Sequence, residues 1–322
     1  MRILIQTPAK TGSRKGNRIT AQRWARYLRE LNHAVVIRSE ISTRKFDLLI
    51  ALHAIKSACA IEQFRKTNPH SKIFLALTGT DIYRDPKKSN SESAQKFKTS
   101  IGCADKLILL NHDAAKKLSR NDRQKATVIL QSAEPPRNIP PALKRSFEIV
   151  VAGHLREVKD PFLAAQAARA LPSESRIRIT HLGKALTPAM RRLADKEAST
   201  NSRYRWLGEK SNGETKRIIA RAKLLVVSSI IEGGAAAISE ALVSGTPVLA
   251  TAISGNIGIL GNDYAGLFKV GGVSQLQKLM WSAETDSQFY KKLQKRCRRV
   301  ATRLHPKQEK IAWQKLLQEA FD

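Results

Sequence analysis

The stretch Ser228-Ser-Ile-Ile-Glu232-Gly-Gly-Ala-Ala-Ala-Ile-Ser-Glu240-Ala-Leu-Val-Ser-Gly245-Thr-Pro247-Val248 reads as strand end, glycine turn, helix and next strand. The apolar run Leu224–Ser228 delivers the chain to Glu232. Gly233 and Gly234 carry no side chain, so the backbone there can approach a ligand closely. A small-residue helix over Ala236–Ser244 follows, and Gly245-Thr-Pro247 turns the chain into a second apolar run, Pro247–Ala250. The amides of Gly234, Ala235 and Ala236 then stand at a helix N-terminus, where unsatisfied N–H groups favour phosphate. Glu240, about one turn into that helix, can accept hydrogen bonds from a ribose diol, and Glu232 from sugar hydroxyls. Such a strand–helix–strand unit belongs to an α/β fold around a parallel sheet.

The same alternation runs outward in both directions. In the first half, apolar runs predict strands at Arg2–Thr7, Ala34–Arg38, Asp47–Leu52, Lys72–Leu77, Lys106–Leu110 and Thr127–Leu130. Helical periodicity predicts helices near Thr20–Leu31, Ile55–Thr67, Ser91–Cys103 and Asp113–Ser119. Continuous runs such as Asp47-Leu-Leu-Ile-Ala-Leu52 suit strands buried on both faces. Ser132-Ala-Glu-Pro-Pro-Arg-Asn-Ile-Pro-Pro141 then packs four prolines into ten residues, which neither a ladder nor a helix interior tolerates, and marks a linker. Beyond it the pattern restarts. Strands are expected at Phe147–Ala152, Arg178–Leu182, Arg205–Leu207, Leu224–Ser228, Pro247–Ala250 and Gly266–Val270. Helices are expected near Phe162–Leu171, Pro188–Ser199, Glu214–Ala222, Ala236–Ser244, Val273–Ala283, Ser287–Arg303 and His305–Ala320. The expected domains are residues 1–136 with 304–322, and residues 137–303. A ligand cleft is expected where the two α/β units face each other.

Two further elements carry chemistry. Val150-Val-Ala-Gly153-His154-Leu-Arg156-Glu-Val-Lys159-Asp-Pro follows the first strand of the second half and presents two cations. Ala9-Lys-Thr-Gly12-Ser-Arg14-Lys15-Gly16-Asn17-Arg18-Ile-Thr20 is a glycine-rich basic loop ahead of the first helix. It is neither G-x-G-x-x-G nor a P-loop, which argues against a dinucleotide or Walker-type site. Its cations at a helix N-terminus still suit an anion.

Together the Glu232-to-Val248 stretch and the Gly153-to-Lys159 segment resemble the E-x7-E and G-R-L-x-x-x-K signatures of family 4 glycosyltransferases. The resemblance implies a GT-B fold: α/β, two Rossmann-like domains with parallel sheets facing across a cleft, and a C-terminal helix crossing back to the first. It implies a nucleotide-sugar donor held by Gly153, His154, Arg156, Lys159, Leu207, Glu232, Gly233, Gly234, Ala235, Ala236 and Glu240. Arg156 and Lys159 would neutralise the pyrophosphate without a metal, so no cofactor is expected. His154 stands where the family has Arg, and Gly234-Ala235 where many relatives have Phe-Gly; Arg205-Trp-Leu207-Gly208 resembles the strand end beside the nucleotide base.

Across nearly the whole chain, Gly16-Asn-Arg18, Arg23-Trp24, Ala51-Leu-His53, Leu77-Thr78-Gly79-Thr80-Asp81-Ile-Tyr83-Arg84-Asp85 and the two segments above are similar to one branch of this superfamily. That branch is the selenosugar synthases of selenoneine biosynthesis. It implies transfer from UDP-N-acetylglucosamine or UDP-glucose to selenophosphate, giving a 1-seleno-sugar, UDP and phosphate. The expected acceptor residues are Arg14, Lys15, Asn17, Arg18, Thr78, Gly79, Thr80, Asp81 and Arg84. His53 is a candidate catalytic group beside Arg156 and Lys159, with a structural histidine as the alternative. A transferase with an ordinary carbohydrate acceptor is the nearest rival.

Composition bounds these readings. The 322 residues hold 57 Lys and Arg against 27 Asp and Glu, a net charge of +30, which points to anionic partners. The excess is even, +15 over residues 1–136 and +15 over residues 137–303, unlike a basic nucleic-acid tail. With aromatics at 6% and no nucleic-acid motif, a nucleic-acid-binding protein is the weaker reading. The run Lys291–Arg303 reads as a solvated basic helix. Three scattered cysteines, Cys59, Cys103 and Cys297, fit a reducing cytosol. The start is not a signal peptide and no window is apolar enough to span a membrane, so a soluble cytoplasmic protein, monomer or homodimer, is expected.

Overall fold

The computed structural model describes residues 1–13, 15–83 and 91–322. Arg14, Arg84 and Asp85, named above, lie outside the described residues. The chain divides into two compact units. One comprises Met1–Gln131, Glu232–Gly234 and Lys307–Asp322; the other comprises Ser132–Ile231 and Ala235–Pro306.

The first unit runs β1 (Arg2–Gln6), α1 (Gly16–Glu30), β2 (Ala34–Arg38), β3 (Leu48–Leu52), α2 (Ala58–Thr67), β4 (Lys72–Leu77), α3 (Ser91–Cys103), β5 (Lys106–Leu109), α4 (Arg120–Gln124) and β6 (Ala126–Val128). The second runs β7 (Phe147–Ala152), α5 (Leu163–Arg169), β8 (Ile177–Leu182), α6 (Pro188–Thr200), β9 (Tyr204–Trp206), α7 (Asn212–Arg221) and β10 (Leu224–Val227). It continues with α8 (Ala236–Val243), β11 (Val248–Thr251), α9 (Ser254–Leu260), β12 (Leu267–Phe268), α10 (Val273–Thr285) and α11 (Ser287–Ala301). The last helix, α12 (Pro306–Phe321), packs with the first unit.

Among the described residues the strands form two six-stranded sheets, ordered β2-β1-β3-β4-β5-β6 and β12-β11-β10-β7-β8-β9. Every pairing is parallel. In each sheet the strand order reverses once, between β1 and β3 and between β7 and β10. Open α/β sheets bind ligands outside the carboxyl ends of the strands at such a reversal.

The first sheet shows why its strands are apolar throughout. Ile3, Ile5, Leu48, Ile50, Phe74 and Ile108 face a core shared with Trp24 and Leu28 of α1 and Trp313 and Leu316 of α12. Their neighbours Leu4, Leu49, Ile73, Leu75 and Leu107 face the other core, with Ile61 and Phe64 of α2 and Ile101 of α3. Successive side chains alternate faces, and helices cover both.

α12 is held chiefly at α1. The Trp24 and Trp313 rings meet edge to face at 5.0 Å. Glu309 accepts from the Trp24 indole N–H at 2.7 Å and from Arg23 Nε at 3.0 Å. Burying a carboxylate is expensive unless it is paired and hydrogen-bonded, and here it is both.

Three helical stretches depart from the sequence pattern. α1 begins at Gly16 rather than Thr20, because the Lys15 carbonyl already accepts from Arg18 and Ile19. The segment expected to be one helix over Asp113–Ser119 is a 3-10 turn, His112–Lys117, capped by Asn111, followed by α4 capped by Ser119. α9 carries no amphipathic signal and two glycines; Asn256, which donates to the Thr251 carbonyl at 3.0 Å, ties it down.

Candidate active site

The reversal of the second sheet is built almost entirely from backbone. After β7 the chain reaches Gly153, whose N–H donates to the Leu182 carbonyl at 2.8 Å. A Cβ on Gly183 would stand 1.9 Å from the Gly153 oxygen, and Gly183 has φ +154°, so only glycine fits there. His181 of β8 lies beneath. Its Nδ1 accepts from the Tyr204 hydroxyl at 2.9 Å, which leaves Nε2–H to face the Gly153 carbonyl at 3.3 Å. Burial pushes this imidazole down to about 4, with the Gly153 carbonyl pulling weakly the other way. His181 is therefore a neutral prop beneath the start of the Gly153–Lys159 segment. His154 turns outward, and its Nδ1 accepts from the Lys184 amide at 3.2 Å.

Glu157–Lys159 forms one 3-10 turn that ends on Asp160 in a left-handed conformation, φ 42°. The Lys159 side chain passes over Gly153, its Cδ 4.0 Å from where a Gly153 Cβ would sit. Arg156 is exposed, while His154 and Lys159 are half-buried. The loop after β10 is stitched to this turn. Ile230 N donates to the Val158 carbonyl at 2.9 Å, and Ser228 Oγ donates to the carbonyls of Lys159 (3.0 Å) and Asp160 (2.8 Å).

α8 then starts at Ala236. Its N-cap, Ala235, offers no side-chain acceptor, and no acidic residue occupies the first turn. The orphan amides of a helix start are thus left to whatever anion approaches. Glu240 is half-buried in the second turn. Leu207 follows β9 at the same sheet edge, and its N–H donates to the His181 carbonyl. Beside it opens a cavity of about 410 Å³, lined by residues that include Lys184, Thr187, Arg191, Trp206, Gly208 and Glu209. The Arg191 guanidinium lies over the Trp206 ring, 5.7 Å from its centre.

The reversal of the first sheet is built from side chains instead. His53, directly after β3, is buried and holds φ 77°, a left-handed backbone that a histidine rarely adopts. Its Nδ1 accepts from the Lys56 amide at 3.4 Å, and its Nε2 lies 3.0 Å from Thr80 Oγ1. Asp81 is buried and accepts from the backbone amides of Ala54 (2.9 Å), Thr78 (3.0 Å) and Gly79 (2.8 Å). Its carboxylate shapes the loop after β4. Arg18 is buried in the first turn of α1, while Lys15 is exposed and Asn17 half-buried.

Glu232–Gly234 pack with this unit. A Cβ on Gly233 would stand 2.2 Å from the Thr78 oxygen, and Asn111 Nδ2 donates to the Gly233 carbonyl at 2.6 Å. Gln131 Nε2 reaches the Gly234 carbonyl at 3.4 Å.

The second sheet's edge thus gathers Gly153, His154, Lys159, Leu207, Ala235, Ala236 and Glu240, with Arg156 pointing to solvent nearby in sequence. The first gathers Lys15, Asn17, Arg18, His53, Thr78, Gly79, Thr80 and Asp81. Sequence reasoning passed over His181, Gly183, Ser228, Asn111 and Gln131. A glycine directly after an apolar strand, as at Gly183, was the legible signal for one of them.

Among the described residues, no group of three or more His, Cys, Asp or Glu is placed to hold a metal ion, and no helix is long and apolar enough to cross a membrane. A family model described as glycosyl transferases group 1 matches residues 132–301. A stretch of 120 residues is 31% identical to the glycosyltransferase 1 domain-containing protein 1 of Xenopus tropicalis, covering 37% of this chain and 34% of that protein. The match therefore spans about a third of that relative's length. Over the whole chain the structure is similar to Anabaena HepE solved in complex with UDP and glucose, with TM-score 0.76, 14% identity, and coverage of 99% of this chain and 100% of that one. It is likewise similar to the sucrose-phosphate synthase of Thermosynechococcus elongatus, with TM-score 0.80, 15% identity and coverage of 99% of both chains. At such identities the likeness is one of fold, two parallel six-stranded sheets in the GT-B arrangement. By the match over residues 132–301, more than half its length, the chain belongs to the glycosyl transferases group 1 family.

Proposed function

We propose that this chain transfers a hexose from UDP-N-acetylglucosamine or UDP-glucose to selenophosphate, giving a 1-seleno-sugar, UDP and phosphate, in a reducing cytosol. The observation that carries the donor half is the junction of the post-β7 and post-β10 loops, where Ile230 and Ser228 lock onto Val158–Asp160. It brings Lys159, Gly153 and the lead into the uncapped helix α8 to one sheet reversal. That HepE, a fold neighbour, was solved with UDP supports a uridine donor. The acceptor half rests on the selenosugar synthase-like segments around Arg18, His53 and Thr78–Asp81.

In the transfer, selenium attacks C1 and the C1–O bond to the β-phosphate breaks, its electron pair leaving on UDP. Water then cleaves the P–Se bond, releasing phosphate and the selenol. Arg156, Lys159 and the amides at the start of α8 stabilise the charge that develops on the leaving diphosphate. Glu240 accepts from the ribose hydroxyls and Glu232 from the sugar.

Mass spectrometry of products from a panel of UDP-sugars, with and without selenophosphate, tests the reading. A seleno-hexose that forms only with selenophosphate supports it; UDP release with a sugar acceptor and none with selenophosphate sinks it. Calorimetry tests the donor site separately: saturable UDP binding, unchanged by EDTA, is expected to be lost in a Glu240→Ala, Lys159→Ala double variant.

A further inference from the structure

We propose that Asn111, seconded by Gln131, is a positioning residue for the transfer: it fixes the glycine turn beside Glu232 and so governs how the donor's sugar, rather than its UDP, is held. This role rests on the donor half of the proposed transfer, in which Glu232 accepts from the sugar; selenophosphate has no part in it. The turn cannot hold itself. Gly233 and Gly234 have no side chains with which to anchor, and glycine has the widest backbone freedom. The turn is instead gripped from outside. Gly233 is buried and lies flush on the Thr78–Gly79 backbone. A Cβ on Gly233 would stand 2.2 Å from the Thr78 oxygen, and one on Gly79 would stand 2.6 Å from the Gly233 nitrogen.

Two side-chain amides take successive carbonyls of the turn. Asn111 follows β5 and Gln131 follows β6, the adjacent parallel strand, so both leave the sheet at its carboxyl end. Asn111 Nδ2 donates to the Gly233 carbonyl at 2.6 Å, and Gln131 Nε2 donates to the Gly234 carbonyl at 3.4 Å. Both side chains are buried, Asn111 completely. Each amide is tethered at its other end. Asn111 Oδ1 accepts from the Ala114 amide at 3.0 Å, and Nδ2 also donates to the Tyr83 hydroxyl at 2.8 Å. Turned over, the group would set Nδ2 against the Ala114 N–H and Oδ1 against the Gly233 carbonyl, so these bonds fix which way it points. Gln131 Oε1 accepts from Arg23 Nη2 at 3.2 Å and from Thr20 Oγ1 at 3.4 Å, and Arg23 is locked by Glu309 of α12. The row Glu309–Arg23–Gln131–Gly234 thus carries the docking of α12 as far as the turn.

A buried carbonyl needs a donor, and any backbone amide or hydroxyl would meet that need. Here two tethered planar amides sit on consecutive carbonyls, the first of them one residue from Glu232. That arrangement fixes position as well as satisfying polarity. A carboxylate that must meet sugar hydroxyls is useful only when held to within about half an ångström. Lys159, Glu240 and α8 belong to the second unit, so their hold on UDP does not pass through Asn111. Loosening the turn should therefore separate sugar from UDP.

Calorimetry on the full chain with UDP, UDP-glucose and UDP-N-acetylglucosamine, and no acceptor, tests it. Asn111→Ser keeps a hydroxyl to cap Ala114 but is too short to reach Gly233. Its Kd for the sugar nucleotide that the wild type binds more tightly should rise at least about fivefold, with the Kd for UDP within about twofold. Glu232→Ala should show the same selectivity, and adding Asn111→Ser to it should weaken binding by less than about twofold more. No rise, an equal rise for UDP, or full additivity with Glu232→Ala each overturns the role. If Asn111→Ser does not fold, Gln131→Glu stands in, because it keeps the acceptor for Arg23 and Thr20 and loses the donor to Gly234. A rise of about threefold or more for the sugar nucleotide alone is then expected; no change, or an equal change for UDP, overturns the role. A wild type that binds UDP but neither sugar nucleotide removes the donor reading and this role with it. A wild type that binds both classes, with variants that do not discriminate between them, removes this role alone.

Discussion

The two sheet reversals are equivalent positions in the same kind of fold, and they are furnished differently. At the second, backbone dominates: Gly153 against Gly183, the Val158 carbonyl against the Ile230 amide, the Lys159 and Asp160 carbonyls against the Ser228 hydroxyl, and the bare start of α8. The polar side chains beneath, His181 and Tyr204, are satisfied by one another and by Gly153. At the first, side chains carry the features: a left-handed His53, an Asp81 wrapped by three amides, a buried Arg18 with idle nitrogens. Backbone complementarity suits a diphosphate, whose oxygens want N–H groups and little else. Placed side chains suit discrimination between acceptors, because each can be exchanged without disturbing the ladder. The comparison predicts a common donor edge and a bespoke acceptor edge.

The harshest way to break it is Gly183→Ala. The added carbon collides with the Gly153 carbonyl at 1.9 Å, so the post-β7 turn must move. UDP affinity should fall at least about a hundredfold, roughly 2.7 kcal/mol. Wild-type binding by calorimetry would show that the backbone cradle is not the donor edge.

Acid comes next. His181 is held down at about 4 against its ordinary 6.5, so the unfolded chain takes up this proton first as pH falls. The stability it contributes is complete above about pH 6.5 and is lost as pH drops toward 4, on the order of a few kcal/mol. His181→Gln, which can donate to Gly153 and accept from Tyr204, should flatten this part of the pH profile of urea midpoints. An equally steep profile in the variant would place the acid sensitivity elsewhere.

The mildest test is at the first sheet's edge, the proposed acceptor side. Asn tolerates a left-handed backbone, so His53→Asn should cost about 1 kcal/mol or less in stability. Losing the imidazole beside Thr80 should lower turnover about tenfold with UDP affinity unchanged. Unaltered turnover would make His53 a purely structural residue.

The difference between the edges also explains what could be read from sequence. All of the expected strands are present, some a residue or two shifted, because strands covered on both faces must be apolar throughout, as Leu48–Leu52 is. Glu232, Glu240, Gly153 and Lys159 are spaced by a local turn and helix, so their spacing survives in one dimension. His181 was invisible: inside an apolar run it looks like filler, and its role depends on Gly153 and Tyr204, each more than twenty residues away. Asp81 reads as a carboxylate open to substrate, and only folding shows its oxygens engaged by amides. Arg18 reads as an anion-binding cation on a loop ahead of the first helix; because α1 starts early, it is instead buried in the first helical turn. α9 was missed because its tether, Asn256 to Thr251, is a tertiary contact rather than a periodicity.

The return of α12 has a consequence for how the chain matures. Glu309 satisfies the Trp24 indole and Arg23 across 285 and 286 positions of sequence. While the ribosome is still making residues 132–306, at about 5–20 residues per second, the first sheet is already complete but its Trp24 face has no cover. For roughly ten seconds or more that apolar face and two stranded donors wait for a helix not yet synthesised. The second unit, nearly contiguous in sequence, can settle meanwhile, so the unit that is made earlier is the one that finishes folding last.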